Sequence, residues 1–141
     1  MARQDGIPKT LLLEVVTPTR MVVREDVDEV VVPGSQGYFG VLGGHLPFMS
    51  TLKIGELAYR KNGRWRYLAL RWGYVEVLPE TVIVLAETAE RAEEIDVARA
   101  ERARDRALEQ MTRWGEEGID ISEVEAALTG AMTRIEVATK A

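Results

Sequence analysis

The sequence contains no cysteine and a single histidine, His45. The first absence removes disulfides, thiolate zinc sites and thiol catalysis together, and it fits a reducing compartment. Around the one histidine the sequence offers no recognisable Ser/His/Asp arrangement. Neither GxSxG nor GxxxxGK[ST] occurs, so no catalytic residues are assigned and an enzyme is not expected. A metal at His45 would need further ligands that its neighbours Gly44 and Leu46 do not offer, so no metal site is assigned. Positive charge is not in excess: 18 basic against 23 acidic residues give a formal charge of −5, and no sequence-wide field exists to hold a nucleic-acid backbone. No apolar run reaches the ~18 residues that a membrane span needs, and the opening MARQDGIPKT has no apolar stretch behind a basic one. The expectation is a soluble, unprocessed protein without direct membrane insertion. Its 141 residues make one domain, or a small domain with an appendage, able to bury about two-thirds of the unfolded surface.

What is present is organised around residues 34–57, GSQGYFGVLGGHLPFMSTLKIGEL, where glycines and Pro47 punctuate short apolar runs. A helix cannot run through such a stretch. It reads either as turns and strand corners or as a loop presenting Tyr38, His45 and Leu46 to a partner. Residues 10–16 (TLLLEVV) suit a strand stopped by Thr17-Pro18. MVVREDVDEVVVPG reads as one long strand bent around the charged residues 24–29. Residues 54–60 and 65–71 flank Lys61-Asn62-Gly63-Arg64, and Asn-Gly is the dipeptide of a type I′ hairpin turn. After Trp72-Gly73 come YVEVL, Pro79-Glu80 and TVIVLAE, another strand pair with a proline turn. About eight short strands at this spacing predict a sandwich or barrel.

At Glu87 the composition shifts to Ala, Glu and Arg, which places the domain boundary there: a β-sandwich over 1–87 and a helical hairpin over 88–141. In residues 95–114 the stripe Ala100, Ala103, Ala107, Met111 and Trp114 recurs at steps of three and four. Two glycines then break the pattern, and Ser122-x-x-Glu125 matches a capping box opening a second helix. There Val124, Ala127, Leu128, Ala131, Ile135 and Ala138 share a face. The fold class expected is α+β, an N-terminal antiparallel β-sandwich followed by a C-terminal antiparallel two-helix hairpin. Because alanine buries little apolar area, the hairpin is expected to gain modest packing energy, and such an element can change its arrangement when a ligand or partner favours one state.

Asp96 and Arg99 stand one turn apart at the opening of the first helix. An arginine grips phosphate oxygens, and a carboxylate such as Glu90 or Asp96 accepts from amino or hydroxyl groups of a nucleotide. The bland alternative is that Asp96 complements the helix dipole and pairs with Arg99 on the surface.

The strings GVLGGHLP with LKIG, GYVEVLP, and AETAERAEEID at the junction give the chain a resemblance over nearly its whole length to the epsilon subunits of bacterial F-type ATP synthases. The resemblance implies a central-stalk rotor component. Its sandwich packs on the gamma subunit and rests on the c-ring, and its helices regulate ATP hydrolysis by extending into the alpha/beta catalytic hexamer. His45 and Leu46 match the family's c-ring-facing loop, whereas Gln36 and Tyr38 stand where many relatives carry glutamates. Ile95-Asp96-x-x-Arg99-Ala100 matches the family's ATP-binding signature, and Glu90 and Arg134 match two further positions. Gly130 replaces an arginine of that set, which weakens the expected affinity. Regulatory ATP is thus the one ligand implied, with no cofactor required. The arginines 99, 102, 104, 106 and 113 outnumber Glu101, Asp105 and Glu109 on the first helix, so an extended helix can meet acidic surfaces. The isolated protein is expected to be a monomer, and its place the cytoplasmic face of a bacterial plasma membrane, peripheral to it. The competing class is a lectin-like sandwich using Trp65 and Trp72 and oligomerised by its helices.

Overall fold

The computed structural model describes residues 3–4 and 6–141. Two short strands, β1 (Arg3–Gln4) and β2 (Ile7–Pro8), pair with each other. The remaining strands, β3 (Leu11–Val16), β4 (Met21–Val27), β5 (Glu29–Gly34), β6 (Gly37–Val41), β7 (Phe48–Leu52), β8 (Gly55–Lys61), β9 (Arg64–Val77) and β10 (Thr81–Arg91), form one eight-stranded sheet. Its order is β4-β3-β10-β9-β7-β5-β6, and β8 bridges β5 and β9, so the sheet folds back on itself into two layers. All pairings are antiparallel except β3 with β10. Alternation dictates the core: Leu11, Leu13 and Val15 point inward from β3, against Val30, Val32, Val41, Leu57, Tyr59, Val82 and Val84.

The stretch expected as one bent strand is two. Asp28 interrupts it, its backbone N–H donating to Arg60 O at 2.8 Å and its carboxylate accepting from Asn62 N at 3.1 Å. The halves then part, β4 to β3 and β5 to β6 and β8. The hairpin turn holds Asn62 and Gly63 at φ of 52° and 77°, both left-handed as the dipeptide foretold. By contrast, the break expected at Trp72-Gly73 is absent, and β9 runs through it. Trp72 (φ 45°) and Gly73 (φ 139°) instead change which parity faces the core. Val75 and Val77 are buried after them, but Leu68 and Leu70 before them. The pairing with β10 keeps one register throughout, whereas the other edge passes from β8 to β7. A phase change in the hydrophobic pattern thus imitates a strand end.

β10 continues past Glu87 to Arg91, where a 3-10 turn (Ala92–Glu94) leads into helix α1 (Val97–Met111), followed by α2 (Ile121–Ala138). No helix among the described residues is long and apolar enough to cross a membrane. Ala100 and Ala107 are buried on α1, and Val124 and Ala131 on α2. Trp114 does not join the stripe: α1 ends before it and its side chain is 75% exposed, since the turn at Gly115 carries the chain away. The cap of α2 is also not Ser122. Asp120, in extended conformation, accepts from the N–H groups of Ser122 and Glu123, and a carboxylate two residues earlier serves the same free donors. Val137 locks α2 to the sandwich, buried with Ala69, Ala92 and Ile95 against Tyr67.

The junction is pinned by side chains that cross it. Arg91 donates to the Tyr59 hydroxyl at 3.1 Å and to Val22 O at 3.0 Å. Burial pushes the Tyr59 phenol up, and the Arg91 hydrogen bond pulls it partly back. From the β3–β4 turn, Arg20 pairs with Glu94 and donates to Ala89 O at 3.4 Å, while Glu94 accepts from Arg91 N at 2.9 Å. The hydrogen bond from Arg20 holds the Glu94 carboxyl below its usual range. A lowered native pKa contributes stability above the ordinary carboxylate value that is lost as pH falls through the native one. In urea unfolding, Arg20→Met is therefore expected to lose about 0.2–1 kcal/mol at pH 7, the pair being partly exposed. That difference should shrink as the pH falls below 4.5, the group's ordinary value. A gap that stays constant with pH would show that Glu94 is not its source.

Candidate functional site

The register of β9 on β10 sets Arg71 opposite Thr88 and Ala69 opposite Glu90. Within each short run alternate residues share a face, so these four make a patch on the sheet surface turned toward the helices. Over it lie Ala127, Gly130, Ala131, Thr133 and Arg134 of α2, with Arg99 and Ala103 of α1 and Ile54 at the rim. They line a half-open cavity of about 420 Å³. Its small walls follow from the alanine stripes: side chains too short to fill the space between helix and sheet leave it open.

Glu90 and Arg134 meet across the cavity. Arg134 Nε lies 2.7 Å from Glu90 Oε1 and Nη2 donates to Oε2 at 3.2 Å. The Nε approach is off-line, an electrostatic contact and not a hydrogen bond. Arg99 lines the same space, and no ion pair among the described residues holds its guanidinium. Of the five residues that the resemblance nominated for ATP, three thus gather here. Asp96 and Ala100 do not line the cavity. Asp96 is the N-cap of α1, accepting from Arg99 N at 3.1 Å, so the surface ion pair is replaced by a side chain to backbone bond. Ala100 is fully buried in the helix packing. Sequence reasoning missed Arg71 and Thr88, whose place depends on strand register.

Gly130 sits mid-helix with nothing within 4 Å of where a Cβ would stand. Its conformation is ordinary for a helix, so Gly130→Ala removes a propensity defect without a clash. Thermal or urea unfolding should show α2 stabilised by about 1 kcal/mol. A destabilised variant would mean that the space at Gly130 is smaller than it is here.

The residues assigned to a partner divide between the two ends of β6. Gln36 is exposed in the β5–β6 turn, and Tyr38 follows it, its hydroxyl accepting from Glu56 N at 3.2 Å with Lys53 Nζ 4.7 Å over its ring. His45 and Leu46 lie beyond the other end of β6. His45 Nδ1 is 2.6 Å from Leu46 O, and Leu46 is 80% exposed. Tyr38 adjoins α2, whereas the Gly44 N–H donates to Pro79 O at 2.8 Å, at the opposite end of the sandwich. The loop with His45 and Leu46 thus lies on a different surface from Gln36 and Tyr38.

A broader surface was not nominated at all. Thr51, Tyr74, Leu85 and Val16 lie side by side across β7, β9, β10 and β3, with Trp72 beside them. Tyr74 and Leu85 are more than half exposed. The signal was available, as apolar residues at strand positions of outward parity. Trp65 and Trp72, which a sugar platform would need together, are seven residues apart on β9, roughly 24 Å at strand rise. Arg71 covers the Trp72 ring at 4.6 Å. Among the described residues, no group of three or more acidic or histidine side chains is placed to hold a metal.

A family model described as the ATP synthase delta/epsilon chain beta-sandwich domain matches residues 10–92. A second, described as the long alpha-helix domain of the same chain, matches residues 93–139. The ATP synthase epsilon chain of Geotalea uraniireducens (strain Rf4) is 50% identical over 93% of this chain and 95% of its own length. That of Geobacter sulfurreducens is 48% identical over the same shares. Among solved structures, a chain of the Euglena gracilis mitochondrial ATP synthase (OSCP/F1/c-ring, rotational state 1) matches with a TM-score of 0.80 at 23% identity, covering 98% of this chain and 87% of that one. A chain of the Tetrahymena thermophila mitochondrial ATP synthase central stalk/c-ring matches with a TM-score of 0.55 at 13% identity, covering 92% and 94%. At these identities the structural likeness is one of fold.

Proposed function

The chain belongs to the ATP synthase delta/epsilon chain family, and from that premise we propose that it is the rotor subunit joining gamma to the c-ring, with its helical hairpin as a regulator of ATP hydrolysis. As an epsilon chain it is a non-catalytic subunit, peripheral to a membrane-bound complex, at the cytoplasmic face of a bacterial plasma membrane. The exposed Tyr74, Leu85 and Trp72 face offers gamma an apolar surface, and the His45-Leu46 loop offers the c-ring a separate one. When the helices extend, the arginines of α1 meet the catalytic hexamer.

One observation carries the regulatory part: the cavity between sheet and hairpin is lined by Glu90, Arg99 and Arg134, from β10, α1 and α2. These residues fit a nucleotide, because arginine N–H groups suit phosphate oxygens and the alanine walls suit an apolar base. A ligand that touches all three elements holds the hairpin down, and its departure frees the helices to extend. Thermal unfolding in ATP and ADP, with gamma binding measured beside it, tests this. At a hundredfold excess of ATP over its dissociation constant a stabilisation of about 2.7 kcal/mol is expected, lost in Arg99→Ala. Gamma should bind the wild type and not Leu85→Glu. Absence of any nucleotide effect would remove the regulatory ligand, and absence of gamma binding would remove the rotor assignment.

A further inference from the structure

The cavity holds one more cation than the family resemblance supplied. Arg134 is committed to Glu90, and at Gly130, one turn before it, α2 has no side chain to offer. Arg71 reaches the same space from the sheet, opposite Thr88. Its Nε has no hydrogen-bond partner: Glu87 meets it only in a long ion pair at 4.0 Å, and the side chain as a whole is about one-third exposed. Its Cζ lies 4.6 Å over the Trp72 ring, a cation–π contact that restrains the group without using its N–H donors. A partly exposed guanidinium at the wall of a cavity, held by one long ion pair and a ring contact, is suited to an anionic oxygen, since a charge-assisted hydrogen bond there is strong.

We propose that Arg71 is a phosphate ligand of this cavity, the sheet-borne substitute for the helix arginine whose place Gly130 occupies. The inference rests on the nucleotide reading given above. With Arg134 and Glu90 paired, Arg71 and Arg99 are the cations left to meet a polyphosphate, one from the sandwich and one from the hairpin. A ligand bridging them ties α1 directly to β9. Bound nucleotide therefore couples to closure through the sheet as well as through α2.

The test is calorimetric titration of the full chain with ATP, using the wild type, Arg71→Gln, Arg71→Lys, and the double variant Arg71→Gln with Gly130→Arg. Melting without nucleotide is followed in each. Arg71→Gln is expected to melt as the wild type does and to bind ATP at least about tenfold more weakly. Arg71→Lys should keep part of the affinity. Because the space at Gly130 is open, the double variant should recover ATP binding, a rescue that a merely structural role would not give. Wild-type binding that Arg71→Gln leaves unchanged overturns the role of Arg71 and spares the nucleotide reading. A double variant no stronger than Arg71→Gln shows that Arg71 acts through structure alone and overturns it too. No binding by the wild type at millimolar ATP overturns both.

Discussion

Gly73→Ala is expected to cost more than about 4 kcal/mol or to prevent the sandwich from folding. At φ 139° a side chain is strained, and a Cβ would stand 1.9 Å from Leu85 O and 2.9 Å from Ala86 Cα. Neither atom belongs to a flexible side chain. Both lie in the backbone of β10, clamped between β9 on one edge and β3 on the other, so they cannot retreat without breaking two ladders. The close approach exists because β9 turns its face over at Trp72-Gly73 while keeping register with β10. Gly63→Ala serves as the control: Gly63 also has positive φ (77°) but nothing within 4 Å of its Cβ position. That variant should lose only about 1–2 kcal/mol, the cost of the left-handed backbone. Urea unfolding followed by circular dichroism reads both. Equal losses at the two positions would mean that the crowding at Gly73 is relieved by movement.

Val137→Asp is expected to release the hairpin while the sandwich stays folded. Val137 is 1% exposed and packs on Ala69, Ala92 and Ile95, the main apolar anchor of α2 on the sheet. A carboxylate there must be buried charged or take up a proton, and each costs several kcal/mol without a partner. Little else holds α2 down. Arg134 pairs with Glu90, and Lys140 Nζ lies 2.7 Å from Glu56 Oε1 and 5.0 Å over the Tyr67 ring. These pairs are partly exposed and contribute modestly. Hydrogen exchange should show α2 amides opening about a hundredfold more readily, a loss of ~2.7 kcal/mol, with β3 and β10 amides unchanged. In the assembled complex the freed helices should inhibit hydrolysis whether or not ATP is plentiful. Undiminished protection in α2 would show that the helix pair itself, and not its anchor, fixes the hairpin.

Local chemistry was legible where one short stretch suffices to specify it. Asn62-Gly63 named its turn because two adjacent left-handed residues need those side chains. The alternation in LLLEVV gave β3, and the steps of three and four gave both helices and most of their buried faces. Where two signals competed locally, the reading slipped: Ser122 and Glu125 formed a plausible box, yet Asp120 stood nearer the helix start and took the free donors. Trp114 fitted the stripe by count but lay beyond the last turn that could carry it inward. At Trp72-Gly73 the hydrophobic phase changed without the hydrogen bonding doing so, and only the hydrogen bonding defines a strand.

By itself the sequence determined the order of elements, the class of fold, the family and the absence of thiol chemistry, because each depends on residue type and near neighbours. It also brought Glu90, Arg99 and Arg134 forward as a set, through resemblance to relatives and not through any distance between them. Only the tertiary structure decided that those three share a cavity while Asp96 and Ala100 stay out of its wall, and that Tyr38 and His45 face different ends of the sandwich. Arg71 and the Tyr74-Leu85 face belong to the same class of fact. Their neighbours are set by strand register and by the seating of two helices on a sheet, contacts between residues far apart in the chain, which no local pattern records.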